Sequence, residues 1–412
     1  MMSREEMQKT YTMEDTRRFV YSLMNEVDVT PQLREFACPP YANQLPLDSV
    51  LCLSTVVFNG KTARTNVYYG PEITYGSNAA KPAILDETTQ FNIGSMGKII
   101  MMVMVMRLVQ RGHLKLADTV DDLIQHHGKE YFDPAFLAIR DSISNITVEQ
   151  LLSHRSGLKD IRFRNYEKGE SLSEFIHFFK PPGDFFYANA NYILLAYLLE
   201  AVEKKPLYEL LKTWVIEPLG LKNTAHIHHA DADSPLVHGQ VLREGLFLPD
   251  DTYLFGAVSF TSCPTDIAKI LFHVFNDPEF FSAELVKNIE TSMRSEMFVV
   301  EREKSQGGNF SWPVEVGITV EKFYIQGTKA IMPRPAIGDY RVVYGMGCWT
   351  NGSSGFVLCD PKKPMAYAVS ISKLHVPREA PRLTGSLSAL LWPRASSNKV
   401  NEEKQEEQTC AL

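Results

Sequence analysis

The chain has 412 residues, 44% of them hydrophobic and 22% charged, which is enough apolar material for a sizeable folded core and too much for a disordered chain. Its formal charge of -7 and the lack of a dense Lys/Arg cluster exclude nucleic acid or an anionic membrane as the main partner, since phosphate binding needs a concentrated positive field.

Residues 1–48 open with mixed charged and polar positions and reach a connection at Cys38-Pro39-Pro40-Tyr41 that helix geometry does not tolerate, so they read as an adaptor segment. The first 15 residues contain no apolar stretch of the roughly 7–15 residues that a secretory signal needs, and a cytoplasmic location is expected. From Val50 the texture turns to strand. Residues 51–58 and 63–69 flank Asn59-Gly60, a dipeptide suited to the positive φ values of a tight hairpin turn.

Phe91-Asn-Ile-Gly-Ser-Met-Gly-Lys98 then leads into the most apolar run, residues 99–106, which is far shorter than the roughly 18–20 residues that span a bilayer. It reads as a buried helix with Met101, Met102, Met104 and Met106 in the core. Residues three apart on a helix share a face, so the Lys98 amine can reach the Ser95 hydroxyl. A serine becomes a nucleophile only when a neighbouring base takes its proton, and the helix start turns free N–H groups toward developing negative charge. Taken alone, the spacing occurs by chance in most chains of this size and reads as a helix cap beside a solvated lysine.

Helical texture continues over about 98–275, with breaks at Pro181-Pro182-Gly183 and Pro218-Leu219-Gly220. Thr147 and Gln150 have the spacing of a capping box. Strands are expected again after about 311, at 317–323, 355–359 and 366–371, followed by a helix over 378–391. Strands at both ends around a helical insertion predict an α+β fold, an antiparallel sheet flanked by helices, with one catalytic unit over 49–395. Residues 396–412 are polar and read as a disordered tail.

Cys38, Cys52, Cys263, Cys348, Cys359 and Cys410 show no CxxC or zinc spacing, so reduced thiols are expected, and Cys410 lies third from the end, off the prenylation pattern. His226-Ile-His-His229 lacks the HxHxDH spacing of a metal hydrolase and reads as a partly exposed strand or loop; His126 and His127 are placed facing solvent. No metal or cofactor is expected.

Four further segments occur in order. Ile146-Thr-Val-Glu-Gln-Leu-Leu-Ser-His-Arg-Ser-Gly-Leu158, Pro181-Pro-Gly-Asp-Phe-Phe-Tyr-Ala-Asn-Ala-Asn-Tyr192, Glu217-Pro-Leu-Gly-Leu221 and Val258-Ser-Phe-Thr-Ser-Cys-Pro-Thr-Asp266 join the Ser-x-x-Lys element. Together they resemble the class C serine β-lactamases, penicillin-binding proteins, D-alanyl-D-alanine carboxypeptidases and related esterases over roughly residues 51–393. The resemblance implies a transpeptidase-like fold and an acyl-enzyme on Ser95, with Lys98 and Tyr187 sharing proton transfer and Asn189 orienting the lysine or a substrate carbonyl. It gives His154 a structural hydrogen bond and assigns the oxyanion donors to the amides of Ser95 and Gly352.

The family's third element starts with Lys-Thr-Gly or His-x-Gly, and the equivalent stretch here is Trp349-Thr-Asn-Gly-Ser-Ser354. Trp349 falls at the basic position, beside Asn351. Without a cation there, recognition of β-lactam or peptide carboxylates is not expected. Acyltransferases of fungal polyketide pathways also lack that residue, so transfer of an acyl group from a carrier thioester to an alcohol or amine, as in secondary metabolism, stands beside hydrolysis of an ester, lactone or amide. A scaffold without activity is the third reading. The partner implied is a small-molecule acyl substrate.

Overall fold

Strand β1 (Leu51–Phe58) turns at Gly60 (φ 72°) into β2 (Lys61–Tyr68), so the hairpin expected around Asn59-Gly60 is present. The structure is a computed structural model that describes residues 51–68 and 88–372, apart from 59, 162–164, 231–235, 238–239, 244–245, 250–251, 301–309, 327–328, 332–340, 351–352 and 363–364. The adaptor at 1–48, the helix at 378–391, the tail at 396–412, Cys38, Cys410, Asn351 and Gly352 lie outside the described residues.

Short strands follow at β3 (Gln90–Asn92), β4 (Thr224–His226), β5 (Leu236–Val237), β6 (Gln240–Arg243), β7 (Leu246–Pro249) and β8 (Phe260–Ser262). The C-terminal part supplies β9 (Arg294–Val300), β10 (Phe310–Val316), β11 (Glu321–Gln326), β12 (Lys329–Ile331), β13 (Arg341–Trp349), β14 (Ser353–Asp360) and β15 (Met365–Ser372). The main sheet runs β2-β1-β15-β14-β13-β11-β10-β9, with β12 on β11, and every pairing in it is antiparallel. A chain closing its sheet with strands from both ends must pass the intervening helices over one face, which is the layering read from the sequence.

Alternation along the strands selects that face. Val57, Tyr344, Met346, Cys348, Val357, Cys359, Ala366 and Ala368 are buried in one core with the helix Pro264–Asn276, where Phe275 stacks on Tyr344 at 5.0 Å. The helix Gly97–Gln110 is apolar all round and buried at nearly every position, Met101, Met102, Met104 and Met106 being 0% exposed. Burying each such side chain stabilises the fold by roughly 1.5–3 kcal/mol. Ala190–Glu203 packs against it and is buried in the same way.

Thr147 caps the helix Val148–Leu152 as expected: its hydroxyl accepts from Gln150 N at 3.2 Å, and Gln150 Oε1 accepts from Thr147 N at 2.9 Å. Strand β8 pairs with β3 and β4, tying the two ends of the helical region together ahead of Ser95. Among the described residues no helix is long and apolar enough to cross a membrane.

Three expectations need correction. Residues 317–323 are not one strand: β10 ends at Val316, β11 starts at Glu321, and between them Ile318 and Val320 point into the helical core, both 0% exposed. The turn is anchored by Thr319 N donating to Leu152 O (3.0 Å) and Ile318 N to Ser292 Oγ (2.8 Å), long-range bonds that override local strand propensity. The returning strands also start earlier than 311, at Arg294, because β9 is an edge strand whose polar residues mask its alternation. The region over 98–275 is mainly helical yet carries β4 to β8 as well.

Candidate active site

Ser95 lies in a 3-10 turn, Gly94–Met96, that runs directly into the helix Gly97–Gln110. The turn is fixed from both sides. Asn92 Oδ1 accepts from Gly94 N (3.0 Å), while Asn92 Nδ2 donates to Thr252 O (3.0 Å). Gly94 has φ 49° and no room for a side chain, since a Cβ there would sit 2.9 Å from Thr350 Cγ2.

Lys98, one turn on, is 0% exposed. Its Nζ donates to Ser95 Oγ at 3.1 Å, to Asn189 Oδ1 at 2.8 Å and to the Ala257 carbonyl at 3.3 Å. A buried ammonium is tolerated only when acceptors replace its water, and these three do so. The Lys98 Nζ also lies 5.2 Å from the Tyr187 ring centroid and 5.4 Å from that of Tyr192. Burial holds the Tyr192 phenol far above its ordinary range, so this ring stays neutral beside the lysine.

Ala257 reaches the lysine because the chain turns at Gly256 (φ 73°), where a Cβ would meet Ala196 Cβ at 2.5 Å and Tyr192 O at 2.6 Å. Gly256→Ala is therefore expected to destabilise the protein by about 3 kcal/mol, combining left-handed strain with overpacking. Urea unfolding measures this, and a loss under about 1 kcal/mol would contradict the close approach.

Tyr187 completes the group from 92 positions away in the chain: its hydroxyl and Ser95 Oγ share a hydrogen bond of 2.7 Å. Its ring stacks on His154, with centroids 4.3 Å apart, and packs on Phe298 of β9 at 5.0 Å. Asn189 is the N-cap residue of Ala190–Glu203 and is held by Asp160, whose Oδ1 accepts from Asn189 N (2.8 Å) and Nδ2 (3.1 Å). The proton of Ser95 thus has an amine and a phenol oxygen within 3.1 Å. Such geometry can activate a serine hydroxyl through two proton-handling neighbours.

The structure brings Ser95, Lys98, Tyr187 and Asn189 together. Trp349 closes β13, paired with Ser354, and the side chain of the next residue, Thr350, 4% exposed, lies against the Ser95 turn together with that of Cys348. Ser353 Oγ, bonded to Thr350 Oγ1 at 2.8 Å, donates to Asn92 O at 2.9 Å and so ties β14 to the approach to Ser95. Sequence reasoning missed Asp160, Ala257, Phe298 and Thr350. Asp160 stands just past the recognised Ser-Gly-Leu turn and was within reach, whereas the Ala257 carbonyl carries no side-chain signal at all.

Among the described residues no histidine bonds directly to Ser95 or Lys98 in the hydrogen bonds given above. His154 makes the structural hydrogen bonds expected of it, its Nδ1 accepting from Ala188 N at 3.2 Å. His226 departs from the partly exposed strand or loop expected: it is buried at 6% in β4, while His228 and His229 are exposed. Burial, then the neighbouring His228 and His229, push the His226 imidazole down to about 4, because charge there would be both unsolvated and repelled. Among the described residues no group of three His, Cys, Asp or Glu side chains is placed to hold a metal ion.

The sequence matches the profile of the Beta-lactamase family over residues 49–389. It is similar to Protein flp of Staphylococcus aureus (strain MW2), 27% identical over 181 residues that make up 41% of this chain and 33% of that protein. The match thus spans about a third of the curated relative's length. Among solved structures, the chain is similar to the D-amino acid amidase from Ochrobactrum anthropi SV3 complexed with D-phenylalanine: 16% identity, 93% of this chain, 99% of that one, TM-score 0.62. It is likewise similar to the class C beta lactamase from Rhodobacter sphaeroides: 16% identity, 90% of this chain, 98% of that one, TM-score 0.58. At these identities the likeness is one of fold, and it is the α+β, transpeptidase-like fold expected from the sequence.

Proposed function

The chain belongs to the beta-lactamase family, and from that premise we propose that it is a serine acyl-transfer enzyme that forms an ester on Ser95 Oγ and hydrolyses a small ester, lactone or amide. The observation that carries this reading is the Ser95 hydroxyl held between Tyr187 at 2.7 Å and Lys98 at 3.1 Å. In acylation, Lys98 in its neutral amine form takes the Ser95 proton, relayed through the Tyr187 hydroxyl, as Oγ attacks the carbonyl carbon. The tetrahedral oxyanion is stabilised by backbone amides, that of Ser95 and, as the family resemblance implies, that of Gly352. The carbonyl–heteroatom bond breaks, and the proton passes to the leaving group. Water then attacks the ester by the reverse relay and releases the acid.

Supporting a neutral, apolar acyl group is the aromatic wall beside the nucleophile. Tyr187 and Phe298 pack at 5.0 Å, and both rest on the small apolar cluster of Phe185, Val314 and Val316. The segment that carries a cation in class C enzymes here offers Trp349 and Thr350. The same substitution favours the second reading, acyl transfer to an alcohol or amine, because it removes the cation without touching the acyl-enzyme chemistry.

Intact mass after incubation with a fluorophosphonate should show a single adduct, mapped by peptide sequencing to Ser95. An adduct elsewhere, or none with any acylating reagent, overturns the reading. With p-nitrophenyl esters from acetate to octanoate, kcat/KM should rise by up to about fourfold per buried methylene. A flat series argues against the apolar wall. Added alcohol separates the two outcomes, since transfer yields a new ester and hydrolysis does not.

A further inference from the structure

We propose that residues 154–160 form the template that sets both proton-handling partners of Ser95, with His154 as the positioning residue for Tyr187 and Asp160 as that for Lys98. The inference rests on the Ser95 chemistry proposed above and assigns roles to two residues that do not touch the reacting atoms.

His154 grips the chain on both sides of Tyr187. Its carbonyl accepts from Phe186 N at 2.9 Å and its Nδ1 from Ala188 N at 3.2 Å, while its ring stacks on the tyrosine ring at 29°. One residue thus holds both flanking amides and the side chain between them. That reach depends on a left-handed backbone, φ 56°, uncommon for a residue other than glycine and kept here by the surrounding bonds. The ring cannot rotate away either. Asn191 Nδ2 lies 3.1 Å from the same Nδ1, and Ser156 Oγ donates to Asn191 Oδ1 at 2.5 Å, which orients the amide so that its NH2 faces the imidazole. Accepting at Nδ1 places the ring proton on Nε2.

Asp160 acts on the other partner through Asn189. By accepting from both the backbone N and Nδ2 of Asn189, it leaves Oδ1 turned to the Lys98 ammonium at 2.8 Å. A carboxylate one amide away from a buried ammonium adds favourable charge without quenching it in a direct ion pair. The segment between them is held rigidly. Gly157 has φ 81° and a Cβ there would strike Lys180 O at 2.2 Å, and the Gly157 carbonyl accepts from Phe179 N (2.8 Å) and Lys180 N (3.1 Å). Arg155 adds an ion pair to Glu296 of β9 at 2.7 Å.

The test compares four variants in the full chain by p-nitrophenyl acetate kinetics, acylation rate with a fluorophosphonate and melting temperature. His154→Phe keeps a ring to stack but loses the acceptor, and is expected to lower kcat and the acylation rate about 10- to 100-fold with KM within about threefold of wild type. His154→Asn presents an oxygen close to the place of Nδ1 and tolerates the left-handed backbone, so it should recover most of that loss. Asp160→Asn should lower kcat about 10-fold and Asp160→Ala about 100-fold, again with little change in KM. A purely structural role predicts instead that rate per folded, titratable active site is unchanged while melting falls. Unchanged rates in folded His154→Phe or Asp160→Asn protein, or no recovery in His154→Asn, overturn the inference. Failure of the wild type to label at Ser95 overturns the underlying reading, a separate result.

Discussion

Replacing Ser95 by alanine is expected to lower kcat/KM by at least about 10⁴-fold and to abolish the covalent adduct, while the protein stays folded. The substitution removes one oxygen and little else. Lys98 keeps the Asn189 and Ala257 acceptors, and Tyr187 keeps its stacks on His154 and Phe298. The side chain deleted is half-buried and polar, so the melting temperature should move by no more than about 3 °C. Initial rates with the best ester and intact mass after fluorophosphonate treatment check this. Residual turnover above about 1% of wild type, or an adduct that survives, removes Ser95 from the role of nucleophile.

Lys98→Met is expected to separate activity from stability. The lysine is 0% exposed in an apolar helix, and methionine fills nearly the same volume without a charge to bury. Removing a buried ammonium relieves desolvation by an amount similar to the cost of leaving Asn189 Oδ1 and the Ala257 carbonyl without their donor, each about 1–3 kcal/mol. The two offset, and unfolding free energy should change by less than about 2 kcal/mol in either direction. Activity has no such compensation. Loss of the base that faces Ser95 Oγ at 3.1 Å should reduce the acylation rate about 10³-fold, within the range for general-base catalysis. Urea unfolding and single-turnover acylation test the pair of expectations. A folded variant that acylates at near the wild-type rate assigns the proton to Tyr187 alone.

What was legible in the sequence was local. The turn at Asn59-Gly60 specifies a hairpin through its φ requirements, and the Thr147 and Gln150 pair caps a helix through bonds three residues apart. The unbroken apolar run after Lys98 has one stable solution in water, a helix buried all round. Ser95 and Lys98 meet for the same reason, since a single helical turn brings their side chains together. Where the alternation was local but the partner distant, reading failed. Ile318 and Val320 look like strand residues, yet they serve a turn because Leu152 and Ser292 supply its hydrogen bonds. His226 reads as part of a partly exposed strand or loop and is instead buried in β4.

The contacts of Tyr187, Asn189 and the Ala257 carbonyl with Ser95 or Lys98 are made by tertiary structure across 91 positions or more; the resemblance named the tyrosine and the asparagine, whereas nothing in the sequence named the carbonyl. The sequence by itself determined that a serine and a lysine share one buried helix start, and that a tyrosine and an asparagine of the right types follow in order. Only the folded chain decided that His154 and Asp160 would hold those partners and that Thr350 and Phe298 would line the approach. Hydrogen bonds and ring contacts act over a few ångströms in directions set by the backbone, so identity and spacing can specify which groups are present, but not which of them point at one another.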